Sequence, residues 1–196
     1  QAIGIGIAAG NGDKVVFNTV SLTGDMDPGS TATSTQSALG IRIVSTTPTN
    51  LTLNNNLVSV DVSSNTGTLK HYAIVAPATT YAWGTGGSNY NNIYVNPANT
   101  QMVLGGIGTT VPYTAVASLA SWNTQFTPNQ DGASQNIAPL FTSATDLHLV
   151  PAGNALLDNM GTPVVGITID IDCATRNVTT PDIGADEFSA PNCTGA

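Results

Sequence analysis

The sequence predicts an all-β chain wound as a solenoid of stacked parallel strands, and three observations carry that expectation. Short runs of β-branched and apolar residues recur between clusters of Gly, Asn, Ser, Thr and Pro, which is strand patterning separated by turn chemistry. Three of these runs open on an Asn followed by alternating apolar residues, at Asn18, Asn56 and Asn92, an interval of 36–38 residues that suits one round of a repeat. Charged residues make up only 8% of the 196 while 41% are apolar, so the chain can bury a core, and Gly, Thr, Ser and Asn fill the places that Lys, Glu and Arg take in most cytosolic proteins.

The segment IGIGIAAGNGDKVVF begins as if already inside a repeating sheet, so Gln1 reads as a processed end or a fragment boundary. Strand runs follow at 15–24, 38–45, 51–62, 69–77 and 90–97. Parallel stacking would place Val, Ile and Leu of successive rounds above one another, with corner Asn side chains hydrogen-bonding along the stack. Asn also tolerates the left-handed conformation a sharp corner demands. A sandwich of antiparallel hairpins would need Asn-Gly or Asp-Gly turns between paired strands. Asn11-Gly12 and Asp131-Gly132 join no two convincing strands.

Residues 1–97 are therefore read as coils, 98–188 as the last coil and an irregular C-terminal cap, and 189–196 as a linker to a following module. The helical candidate lies within 111–126, with Ala115, Leu119 and Trp122 on one face and Ser118 as N-cap. Laid across the open end of the coil, it would cover apolar surface and an exposed strand edge. One further short strand is expected at 147–150, and the stretches GTGGSNY and GGIG read as glycine turns.

A formal charge of -8 repels phosphate backbones, and no basic stripe offsets it, so nucleic acid is excluded as a partner. There is no apolar run of about eighteen residues to insert in a membrane and no recognisable secretory leader. Neither a Ser-His-Asp order nor a phosphate loop is present. His71, and His148 between Leu147 and Leu149, are poor catalytic prospects; alternation turns His148 toward solvent or an Asp neighbour.

Residues 170–188 concentrate five of the twelve acids, one of the four basic residues and one of the two cysteines. Arg176 bridging Asp172 and Asp182 or Glu187 would make a structural clasp. Asp170, Asp172, Asp182, Asp186 and Glu187 are alternatively calcium ligands, since hard oxygens without compensating Lys suit that ion, or simply solvated acids. Asp170 and Asp172 share a strand face and would also suit a glycosidase carboxylate pair. In an exported protein a Cys173–Cys193 disulfide would pin the tail, worth about 3 kcal/mol by loop-closure entropy, with two free thiols as the alternative. Tyr81 and Trp83 share a face and are the candidates for stacking on a sugar ring, with packing beneath a loop as the alternative.

In order, NTVSLTG, LTLNNNLVSV, YAIVA, SNYNNIYV, SLASW and the closing DIDCATRNVTTPDIGADEF resemble the C-terminal half of right-handed parallel β-helix domains, of pectate-lyase-like fold, in large secreted and cell-surface proteins of Bacteroidota. PDIGADEF with its upstream Asp-x-Asp and Arg is the most specific part. The resemblance implies export, often by type IX secretion, and a place in an adhesin or gliding-motility filament beside other domains of a longer chain. It implies a non-catalytic structural or adhesive module that contacts glycans or a surface, with a polysaccharide lyase or glycoside hydrolase as the alternative. Fold alone does not transfer an activity. Lyases of this fold need calcium and an Arg or Lys base on one sheet face, and Lys14, Arg42 and Lys70 have no carboxylate cluster near them in sequence.

Overall fold

A computed structural model describes residues 1–29, 31 and 34–191. It is an all-β arrangement with eleven strands among the described residues: β1 Ile3–Ile7, β2 Lys14–Val16, β3 Thr19–Asp25, β4 Leu39–Ile43, β5 Leu51–Asn54, β6 Leu57–Ser63, β7 His71–Ala76, β8 Trp83–Asn89, β9 Asn92–Val95, β10 Met102–Ile107 and β11 Thr114–Val116. Helix α1 spans Leu119–Asn123, and a 3-10 turn spans Pro151–Gly153. No described helix is long and apolar enough to cross a membrane.

The strands form three sheets, ordered β1-β4-β7-β10-β11, β2-β5-β8 and β3-β6-β9. Each strand from β1 to β7 pairs in parallel with the strand three places later, so the chain visits the three sheets in rotation. Among the described strands, only β10 and β11 pair antiparallel. A shared core of Ile41, Ile43, Leu51, Leu53, Val58, Val60, Ile74, Ile93 and Leu104 fills the space between the sheets. Two of the sheets approach closely at Gly40, where a Cβ would stand 2.4 Å from Val58 Cγ1.

The corner between the second and third sheets repeats in conformation and in chemistry. Phe17, Asn55 and Tyr90 are all left-handed, with φ of 56°, 58° and 54°. Phe17 and Tyr90 each carry roughly 1–2 kcal/mol of backbone strain there, whereas Asn55 tolerates the conformation. The next residue in each round is Asn18, Asn56 or Asn91, and these stack. Asn18 Nδ2 donates to Asn56 Oδ1 at 2.9 Å, and Asn56 Nδ2 donates to Asn91 Oδ1 at 3.1 Å. Backbone amides of Asn18 and Asn56 donate to the same two oxygens. The ladder therefore runs through Asn91, not Asn92 as the 36-residue spacing suggests, because Leu57 pairs with Asn92 and the last interval is one residue shorter.

Glycine stretches expected to be turns lie within strands. Gly84 belongs to β8, where a Cβ would meet the Asn50 carbonyl oxygen at 2.3 Å. Positive φ at Gly86 and Gly87 marks a bulge, and the register against β5 shifts there. In β10, Gly105 lies beneath the Trp122 ring. These glycines serve close approach of neighbouring groups, which local sequence does not reveal.

At the far end, residues 111–126 are not one helix. Thr114–Val116 is strand β11 against the edge of β10, and only Leu119–Asn123 is helical, with Ser118 Oγ accepting from the Ser121 amide as N-cap. Trp122 and Phe126 close the core there. Residues 130–135 occupy the other two exposed edges: the Asp131 amide donates to Ser88 O beside β8, and the Ile93 amide of β9 donates to Gln135 O. The expected strand at 147–150 is reduced to a single antiparallel bridge between Phe141 and Leu149.

Candidate functional site

From residue 137 the chain runs back along the corner toward its own beginning. Asn55 Nδ2 donates to Thr162 O, Gly184 N donates to Asn55 O, and Ala185 N donates to Thr19 Oγ1 across 166 residues of sequence. Leu57, Leu149, Leu157 and Ile183 form a separate small core beneath this segment. The acidic cluster therefore lies against the first and second corners of the stack, not over its open end.

Within the cap, Arg176 is only 4% exposed. Its Nη1 meets Glu187 Oε2 at 3.2 Å, its Nη2 donates to Gly184 O and Ala185 O, its Nε donates to Ile169 O, and its guanidinium stacks 4.0 Å from the Phe17 ring centroid. Glu187 also accepts the amides of Asn177 and Asp182. The clasp thus joins Arg176 to Glu187 and excludes Asp172, which lies outside this buried centre with its side chain 60% exposed. Asp182 makes no direct pair with Arg176; its two oxygens accept the amides of Asn159 and Phe188. Burial pushes the Asp182 carboxyl up to about 7, against those two amide donors and with added repulsion from Glu187 and Asp158.

The five acids expected as calcium ligands do not gather around one point. Asp170 spends its oxygens on the amides of Asp172, Ala174 and Glu187, folding the 170–174 turn. Carboxylates already saturated by backbone N–H groups serve local structure. Nor do Asp170 and Asp172 form a substrate-facing pair, since Asp170 is buried and Asp172 is exposed.

Asp172 and Asp186 instead meet His148. The imidazole Nε2 is 2.8 Å from Asp172 Oδ2, and Nδ1 contacts Asp146 Oδ1. Hydrogen bonds to Asp146 first and Asp172 next, with the negative charge of both carboxylates, hold the His148 pKa above its ordinary value, and His148 in turn lowers that of Asp146. Asp186 is fixed from the other side, its Oδ2 accepting the Leu149 amide. Among the described residues, His148, Asp172 and Asp186 are the one trio of metal-ligating side chains whose donor atoms lie within 4.8 Å of one another. Asp146 and His148 stand two apart and so share a face in an extended segment, a signal the sequence carried; the approach of Asp172 and Asp186 was not visible there.

No protein-family model, curated protein or solved structure matches this chain. The remaining candidates are decided by their surroundings. Tyr81 is buried and sits edge-on to Trp83 at 5.0 Å, and Trp83 sits edge-on to Phe126 at 5.5 Å. The two rings expected to stack on a sugar thus pack on each other, and only half-buried Trp83 keeps a share of the surface. Cys173 is an exposed free thiol, so it forms no disulfide among the described residues; its expected partner Cys193 lies outside them.

His71 is fully buried, its Nδ1 accepting from the Ala38 amide, and burial lowers its pKa. Arg42 and Lys70 cap backbone carbonyls of Thr109 and Thr100. A buried carboxylate that the sequence did not single out is Asp131, which accepts from Trp122 Nε1, Asn91 Nδ2 and Ser134 Oγ. It ends the asparagine ladder and holds the terminal tryptophan at once.

Proposed function

We propose that this chain is a right-handed parallel β-helix module with an irregular C-terminal cap, a non-catalytic rigid spacer or adhesive segment of a large exported cell-surface protein of the Bacteroidota kind. The observation that carries the reading is the unbroken three-place parallel pairing from β1 to β10 with its asparagine ladder, a construction in which each round supports the next. The cap is consistent with it: Arg176, Asp170, Asp182 and Glu187 are engaged in holding backbone. Glycans or another surface are the partners this reading assigns, with Trp83 the aromatic edge still partly open to them.

The test pairs binding with turnover on a panel of acidic and neutral polysaccharides. Retention of the purified chain on one or more of them without new reducing ends or unsaturated products is the expected result. Release of either product would replace the adhesive reading with the lyase or hydrolase alternative.

A further inference from the structure

We propose that His148, Asp172 and Asp186 form a zinc-class metal site that ties three separate segments of the cap together. The donor atoms come from the 141–150 loop, the 170–174 turn and the closing PDIGADEF segment, and all lie within 4.8 Å of one another. Donors about 2.0–2.1 Å from a tetrahedral zinc stand roughly 3.4 Å apart, so the trio reaches that geometry by small rotations of side chains that are already partly exposed.

The donor chemistry selects the ion. One imidazole and two carboxylates suit zinc and its first-row neighbours, whereas calcium prefers an all-oxygen shell with more ligands. Asp146 occupies the other ring nitrogen, the arrangement in which an outer carboxylate fixes a ligating histidine's tautomer and turns its remaining lone pair to the metal. The Leu149 amide holds one oxygen of Asp186, and its other oxygen has no hydrogen-bond partner among the described residues. Beside the trio lies a concavity of about 400 Å³ bordered by Thr19, Leu147, Ile171 and Ala185, which leaves room for a water to complete the coordination.

Thr19 also anchors Ala185, so an ion here stabilises the junction between the cap and the first round of strands. A metal that binds only the folded cap raises the melting temperature in proportion to the logarithm of its free concentration.

The experiment uses the full chain, treated with chelator and carrying Cys173→Ser and Cys193→Ser so that thiols supply no uptake. Cobalt is titrated by visible absorption, and zinc and calcium by melting temperature. The expected result is saturable uptake of one cobalt, a rise in melting temperature with zinc and none with calcium. His148→Ala and Asp186→Asn should each weaken cobalt binding at least tenfold while leaving the metal-free melting temperature close to that of the parent. Absence of uptake in the parent, uptake unchanged by both substitutions, or an equal response to calcium would each overturn the site.

Discussion

Arg176 is a buried charge whose guanidinium bonds to a carboxylate and three carbonyls and stacks on an aromatic ring. Truncating one partner of such a pair leaves the other uncompensated, so Arg176→Ala is expected to cost about 3–5 kcal/mol in chemical denaturation. A change within experimental error would mean that the clasp contributes nothing. Asp182 gives a second residue-level expectation, with the sign fixed by its raised pKa. Folded, it holds a proton up to about pH 7, while the unfolded chain releases that proton near the ordinary value of 3.8. The folded state therefore binds the extra proton between those limits, and stability falls as pH rises through that window, then levels. Asp182→Asn should flatten that fall relative to the parent, whatever its own absolute stability. Of these residues, the Arg176–Glu187 partnership was legible because a lone Arg stood among acids. The diversion of Asp172 to His148 was not, because it depends on a contact across 24 residues between two loops of no regular pattern.

At the scale of elements, strands were legible where β-branched residues alternate, as in β3, β6 and β9, and hidden where paired glycines interrupt the run, as in β8 and β10. The hidden ones are strands because neighbouring groups press against them: Asn50 O against Gly84, and the Trp122 ring against Gly105. Propensity cannot anticipate a steric demand set by another segment. The corner ladder was legible in kind, since Asn suits both a left-handed turn and amide stacking, but its third member was off by one residue. Asn56 is the central member: it accepts from Asn18 twice and donates to Val15 O and Asn91 Oδ1. Asn56→Ala should cost roughly 2–4 kcal/mol, since it strands buried donors and acceptors on both sides. Equal denaturation midpoints for the variant and the parent would remove the ladder from the account of stability. Helix α1 shows the converse limit, in that apolar spacing over 111–126 suggested more helix than forms, because residues 114–116 satisfy the open edge of β10 instead.

Across the whole molecule, two different structures finish the stack. Trp122 seals the end: its ring lies fully buried over Gly105 and its Nε1 donates to Asp131, which in turn holds the last ladder asparagine. Trp122→Ala is expected to cost about 3–5 kcal/mol through the cavity and the lost donor. By opening apolar core and a strand edge it should also promote self-association, read by light scattering. Loss of stability with no association would mean that β11 and residues 130–135 protect the edges without it. The second finish is the return of residues 138–188 along the corner to Phe17, Thr19 and Asn55, which makes late sequence part of the support for early sequence. By itself the sequence determined the all-β class and the use of asparagine at corners, because these arise from local conformational preference. Only the tertiary structure decided which carboxylates hold backbone and which meet a histidine, and that the cap lies along the side of the stack. Those outcomes depend on which unpaired amides and edges remain after the strands have paired, a quantity no single segment carries.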